Sequence, residues 1–394
     1  MDSTRKNVAL LSLSQGLLLT NNSIMIATNG LAGFALAPDT GMATFPVTGY
    51  VVGSALVTMQ MSLLMRRLGR RAGFMLGVGF GMLGASICGL AMWVGSFWLL
   101  CLGTFVAGAY NAAGQYYRFA AADAAEPEFK STAISLVLAG GIFGGFLGPE
   151  SSKLTKDALA GHPFAGSYFS LVAFGVLALA VLWWLAIPGL SEAERRAHGR
   201  PLGTILAQPA FVIAALAGMV GYGTMNLLMT AAPLAMTHHH HPYGAAAFVI
   251  EWHVIGMFLP SFFTGALIKR VGALQVMLAG VLLNFVCVAF ALSGVGVVHF
   301  WTALVLLGLG WNFMYVGATT LITEVCTPAE RAKTQGANDS LIFVTMAVTS
   351  AASGFLFTRE GWHVMNWLVT PFLACCGAAT LWLLVARRRS ASAS

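Results

Sequence analysis

The sequence predicts an all-α membrane protein of about twelve transmembrane helices arranged as two six-helix bundles. Three observations predict it. Charged residues are only 9% of the 394 while hydrophobic ones are 58%. The apolar residues gather into runs of spanning length, and the lysines and arginines collect in alternate connections between those runs.

A soluble domain carries about 25% charged residues because its surface faces water. A chain with 9% cannot cover itself in that way, so its solvent is mostly lipid. Each span takes about 20 apolar residues. Helices of that length with short connections nearly use up the chain, which excludes a sizeable soluble domain. Helices are the spanning option here because the alternating pattern of a β-barrel strand is missing.

The runs fall near 8–36, 44–65, 72–94, 97–120, 131–150 and 167–188. They resume near 206–231, 245–268, 273–293, 298–321, 336–357 and 363–386. The first run outlasts the apolar core of a signal peptide and shows no small-residue cleavage site, so it reads as a span. Between the two sets lies a polar stretch, 190–205, with Glu192, Glu194, Arg195, Arg196 and Arg200. It reads as a cytoplasmic linker joining an N-terminal bundle (1–189) to a C-terminal one (206–394).

All but Lys153, Lys156 and Arg359 of the 21 lysines and arginines fall on one side of this topology. Positive charge stays on the cytoplasmic side, so both termini are expected in the cytoplasm of a bacterial inner membrane. The basic pI, near 9.3, is then a consequence of topology, and no nucleic-acid partner is implied. The six cysteines form neither a Cys-x-x-Cys pair nor a disulfide framework.

Enzyme signals are missing. There is no P-loop, no Gly-x-Ser-x-Gly, no His-Glu-x-x-His and no pair of catalytic carboxylates. A secondary transporter needing no cofactor therefore stands ahead of a membrane-embedded enzyme. A non-transporting membrane sensor stays open.

After the second run comes Ser62-Leu-Leu-Met-Arg-Arg-Leu-Gly69-Arg-Arg, and after the eighth Gly265-Ala-Leu-Ile-Lys-Arg-Val-Gly272-Ala-Leu. These equivalent places resemble the loop motif of the major facilitator superfamily, Gly-x-x-x-Asp-Arg-x-Gly-Arg-Arg. The sequence departs at the motif's Asp, where Arg66 and Lys269 stand, and at its first Gly, where Ser62 stands. The usual charge relay built on that Asp is thus not expected. The fifth run carries Gly140-Gly-Ile-Phe-Gly144-Gly-Phe-Leu-Gly148-Pro149, whose four-residue glycine spacing lets helices approach closely. It resembles the superfamily's fifth-helix motif. The resemblance implies two six-helix bundles around a mid-membrane cavity, working by alternating access.

Specificity then sits in the few polar or soft side chains within the spans. Run seven holds Met225 and Met229, and run eight holds His253 and Met257. Each pair is i,i+4 and shares a helix face. Thioethers and imidazole are neutral donors; the sulfurs favour soft Cu(I). Methionine is also a common filler of helix cores, whereas an ionisable residue inside an apolar run marks a functional site.

The four residues, with the segments Trp252-His-Val-Ile-Gly-Met-Phe-Leu-Pro-Ser-Phe-Phe-Thr-Gly265 and Tyr110-Asn-Ala-Ala-Gly-Gln-Tyr-Tyr-Arg-Phe119, resemble the CcoA-type copper importers of that superfamily. The resemblance implies uptake of copper, as Cu(I) or a small chelate, feeding cytochrome c oxidase assembly. It also implies a copper chaperone as partner and a monomer in the lipid bilayer. Riboflavin transporters share much of the pattern, so an organic solute such as riboflavin is the alternative.

Other candidates are weaker. His238, His239, His240 and His241, with Met236, sit in the expected periplasmic loop and could collect metal there, although a solvated loop is the plainer reading. Glu251 points roughly 200° away from His253 around the helix. Glu251, Asp339 beside Asn338, and Glu150 are candidates for proton coupling, though acids near helix ends are commonly interfacial. Asn111, Gln115, Tyr116, Tyr117 and Arg118 could line the cavity, and the tyrosines would stack against a flavin.

Overall fold

Inside a bilayer no water is available to the backbone, so each span must satisfy its own amides and carbonyls, and helix is the outcome. The computed structural model describes residues 3–39, 42–187 and 199–392, and none of these is in a strand. In chain order the helices are α1 (Ser3–Leu36), α2 (Phe45–Leu68), α3 (Arg70–Val94), α4 (Phe97–Gly114) and α5 (Tyr117–Asp123). Next come α6 (Lys130–Ala139), α7 (Gly141–Thr155), α8 (Ala165–Trp183), the short α9 (Leu202–Leu206) and α10 (Pro209–His238). The chain ends with α11 (Tyr243–Phe258), α12 (Ser261–Val271), α13 (Ala273–Ser293), α14 (Val297–Glu324) and α15 (Arg331–Ser392).

Among the described residues, 10 helical stretches are long and apolar enough to cross a bilayer. The N-terminal α1 is not one of them: Gln15, Asn21, Asn22 and Asn29 dilute its apolar run. The longest, α15, is two arms meeting at Gly361, whose φ of 74° no other residue adopts easily. With α1 added and the two arms separated, the spans follow the apolar runs of the sequence. The linker expected over 190–205 lies mostly outside the described residues. At its end Arg200 donates to the Val325 carbonyl at 3.0 Å, ahead of α9.

Two compact units emerge, each drawn mainly from one half of the sequence with one short segment from the other. The first comprises Met1–Ala125, Gly140–His198 and Pro328–Phe343; the second comprises Glu126–Ala139, Gly199–Thr327 and Val344–Ser394. In the first, α7 lies directly on α1. A Cβ on Gly144 would sit 2.6 Å from the Gly16 carbonyl oxygen, so the four-residue glycine spacing is a close helix crossing.

In the second unit α14 is the support on which α10, α11 and α13 pack. Pro260 separates α11 from α12 and frees backbone carbonyls. Asn312 of α14 closes the gap: its Nδ2 donates to the Met257 carbonyl at 2.7 Å, and its Oδ1 accepts from Thr264 at 2.8 Å. Across α12, Ser131 of α6 donates to the Gly265 carbonyl at 3.0 Å.

The internal repeat is visible in the backbone. Gly69 and Gly272 have φ of 89° and 96°, and their N–H groups donate to the Met65 and Ile268 carbonyls at 2.9 and 2.7 Å. Both end one helix and begin the next in a conformation that side chains with a Cβ avoid.

Candidate functional site

Met225 and Met229 lie on α10, one turn apart, with Met225 buried and Met229 half-buried. On the same helix Tyr222 meets Trp311 and Tyr315 of α14 at ring-centroid distances of 5.1 and 4.9 Å. Helical spacing turns Met225 and Met229 toward the side Tyr222 occupies.

His253 and Met257 lie on α11, whose backbone presses on α14. A Cβ on Gly308 would stand 2.6 Å from the His253 carbonyl oxygen and 2.8 Å from the Met257 nitrogen. The His253 ring has no exposed surface. Its Nδ1 lies 2.7 Å from the Leu304 carbonyl oxygen, which can only accept, so Nδ1 carries the proton. Nε2 is then a lone-pair acceptor, buried and without a hydrogen-bond partner among the described residues.

Further along α14 stands a feature that the sequence reading did not single out. Trp311 stacks on Tyr315 (5.1 Å, 22°) and meets Tyr222 and Phe258 edge-on at 5.1 and 5.8 Å. Its indole N–H is buried and has no acceptor among the described residues. Buried donors and acceptors are nearly always paired; Trp311 and His253 each keep one polar atom without a partner among the described residues, as do Trp301 and His299 of α14. A Trp and a Tyr one turn apart in the tenth run were the available signal.

In the first unit the expected residues form a hydrogen-bonded chain. Asn22 Nδ2 donates to Asn111 Oδ1 at 2.9 Å, and Gln115 Nε2 donates to the same atom at 3.4 Å. Asn111 Nδ2 donates to Ser54 at 3.1 Å. Arg118 Nη1 donates to the Gln115 carbonyl and Oε1 at 2.6 and 3.2 Å, and Nη2 pairs with Asp339 Oδ1 at 2.5 Å.

Several expectations need correction. Tyr116 and Tyr117 have no exposed surface and line no cavity. Tyr116 donates to the Thr58 carbonyl at 2.8 Å, and Tyr117 packs on Phe74 at 4.6 Å. Arg118 is likewise buried in its ion pair, whereas Asn22 and Gln115 keep some exposure. Asp339 is buried, 2% exposed, in its pair with Arg118. Met236 belongs to the last turns of α10 and is buried, because the helix extends further than its apolar run.

Glu150 is exposed and pairs with Lys153 at 2.6 Å; Glu251 is exposed as well. His241 Nε2 donates to the Val295 carbonyl at 2.6 Å, which turns it to the backbone. The rings of His238 and His239 stand edge to face at 5.3 Å. Among the described residues no group of three or more His, Cys, Asp or Glu is arranged to hold a metal ion.

Comparison with known proteins places these geometries in context. The profile described as Major Facilitator Superfamily matches residues 214–394. The riboflavin transporter RfnT of Brucella anthropi is 42% identical over 372 residues, covering 94% of each chain. The uncharacterized MFS-type transporter YdeG of Bacillus subtilis is 31% identical, over 87% of this chain and 81% of that one. Among solved structures, the proton:xylose symporter XylE has a TM-score of 0.79 at 13% identity, covering 97% of this chain and 95% of that one, a likeness of fold.

Proposed function

This chain belongs to the major facilitator superfamily of secondary transporters, and we propose that its cargo is riboflavin, carried across a bacterial inner membrane by alternating access. The observation that carries the reading is the aromatic cluster of Trp311, Tyr222, Phe258 and Tyr315, in which the Trp311 N–H is buried without an acceptor among the described residues. A flavin is planar, so it stacks on aromatic faces. Its imide edge carries carbonyl acceptors, which suits a buried donor. The 42% identity to a riboflavin transporter supports the same choice. Orientation follows from the distribution of positive charge, with both termini cytoplasmic.

Copper is the second reading, and the buried, unpartnered Nε2 of His253 favours it, one turn from Met257. Four neutral donors suit Cu(I). Nothing in the relatives' names speaks for copper, a copper chaperone or oxidase assembly; those belong to this reading alone.

Uptake of labelled riboflavin and labelled copper is measured in cells lacking, then regaining, the gene. Riboflavin accumulation is expected to return with the gene. Trp311→Phe keeps a ring but removes the N–H. The lost hydrogen bond is worth about 0.5–1.5 kcal/mol, a several-fold rise in KM. Restored copper uptake that depends on His253 and Met229 but not on Trp311, with no riboflavin uptake, defeats the flavin assignment.

A further inference from the structure

Three helix ends meet in the first unit, and two basic side chains there lie over rings. The helix α8 packs on α1 and α3. The residues that follow it are tied to α1 by a reciprocal pair. Asn7 Nδ2 donates to the Ala186 carbonyl at 2.9 Å, and the Ala186 N–H donates to Asn7 Oδ1 at 3.1 Å. That clasp keeps Trp184 beside Lys6, whose Nζ lies 5.8 Å from the indole centroid. Toward α3, the Arg71 guanidinium lies 4.8 Å from the Trp183 ring. Trp183 and Trp184 are 62% and 65% exposed, Lys6 is exposed and Arg71 half-buried.

Other basic side chains take acids: Arg70 and Arg331 share Asp123, Arg118 takes Asp339 and Arg387 takes Glu324. Lys6 and Arg71 have no carboxylate partner among the described residues. A cation over an indole is attracted to the ring's negative face. The ring takes none of its protons, so the ammonium and guanidinium donors stay available to an anion. Trp183 ends the 19-residue span of α8. These groups therefore sit where hydrocarbon gives way to headgroups, the depth at which tryptophan concentrates. Two turns back, Val176 and Leu177 share the faces of Trp183 and Trp184 and are exposed.

We propose that the end of α8 binds an anionic phospholipid. Its headgroup lies over Trp183 and Trp184, with Lys6 on one flank and Arg71 on the other, and its acyl chains run along Val176 and Leu177. Consecutive helical residues diverge by 100°, which is why the two cations come from different neighbours of α8. Charge selects the lipid. A zwitterionic headgroup brings its own ammonium beside the phosphate, and two protein cations oppose it. A net-negative headgroup meets no such opposition and gains about fivefold in affinity from each cation.

Native mass spectrometry tests this on the purified full-length protein, titrated with phosphatidylglycerol and, separately, with phosphatidylcholine. Wild type should prefer phosphatidylglycerol. Lys6→Gln and Arg71→Gln should each weaken that binding about fivefold, and the double variant should bind both lipids alike. Arg388→Gln removes an exposed charge from α15 and should leave the preference unchanged. In vesicles, phosphatidylglycerol with brominated chains should quench tryptophan fluorescence more than brominated phosphatidylcholine does. Trp183→Phe with Trp184→Phe should remove that excess. Glycerol phosphate carries the anion without the chains and should not compete. Equal binding of both lipids by wild type overturns the site, as does a loss in Arg388→Gln as large as in Arg71→Gln. An excess of quenching that survives the double Phe variant places the lipid elsewhere and overturns it too. Competition by glycerol phosphate overturns the lipid in favour of a soluble anion. None of these readouts depends on which solute is carried.

Discussion

Arg118→Met tests the energetics of the buried pair most directly. Both partners are 2% exposed, so neither charge is recovered by water if the other is removed. The variant leaves Asp339 with the Asn338 amide at 2.8 Å and strips Gln115 of the donor to its carbonyl and Oε1. Removing one member of such a pair costs about 3–5 kcal/mol, because the remaining charge is buried alone. Asp339→Leu should cost a similar amount, since it removes the carboxylate paired with Arg118. Replacing both members with apolar residues of similar volume is often neutral. Arg118→Met with Asp339→Leu should therefore lie within about 1 kcal/mol of wild type, and the two changes should be strongly non-additive. The exposed Lys153–Glu150 pair, 69% and 64% exposed, is the control: Lys153→Met should cost only about 0–1 kcal/mol. Denaturant unfolding of the purified protein, followed by tryptophan fluorescence, measures all four variants. The reasoning is refuted if Arg118→Met costs less than about 1 kcal/mol, or if the double variant loses the sum of the singles.

Gly144→Val should separate α7 from α1, because its Cβ has only 2.6 Å to the Gly16 carbonyl oxygen; overpacking of about 1–3 kcal/mol should appear in the same unfolding assay. Asn312→Ala removes the donor to the Met257 carbonyl and one of the two acceptors of the Thr264 hydroxyl, the Pro260 carbonyl remaining. A loss of about 1–3 kcal/mol is expected, with faster amide exchange around the break at Pro260. Desolvation, and then the nearby imidazoles of His238, His241, His363 and His240, hold the His239 pKa below the usual histidine value. The folded state therefore binds this proton less readily than the unfolded one, and stability rises with pH across that interval. His238→Gln with His241→Gln should raise the His239 midpoint in an NMR titration, though not fully, because desolvation persists.

The spans were legible in the sequence because a bilayer demands long apolar runs, and little else in the chain has that length. The motif glycines were legible for a local reason: the backbone at Gly69 and Gly272 needs positive φ. What the sequence did not reveal is which distant segments share a unit. Residues 328–343 join the first unit and 126–139 the second. No local pattern encodes such pairings. The polar stripe was half legible for a related reason. Asn111 and Gln115 are one turn apart on a regular helix, but α4 ends at Gly114 and α5 begins at Tyr117. Beyond that break helical spacing no longer says where Tyr116, Tyr117 and Arg118 point, and they turned out buried.

The cargo was misweighted for a chemical reason. Reading a span for polar outliers picks up a histidine at once, and two methionines beside it invite a soft cation. An indole passes as apolar because most of its surface is, although it carries a donor that must be satisfied once buried. In the second unit His253 offers a lone pair beside Leu304 of α14, and Trp311, about two turns further along that helix, offers a proton. A single Cu(I) would use the first and leave the second unsatisfied, since a cation accepts no hydrogen bond. A flavin carbonyl accepts from the indole. Weaker riboflavin uptake is therefore expected in both His253→Ala and Trp311→Phe, as a several-fold rise in KM for the latter. Copper uptake that depends on His253, with riboflavin uptake absent, would return the site to the metal.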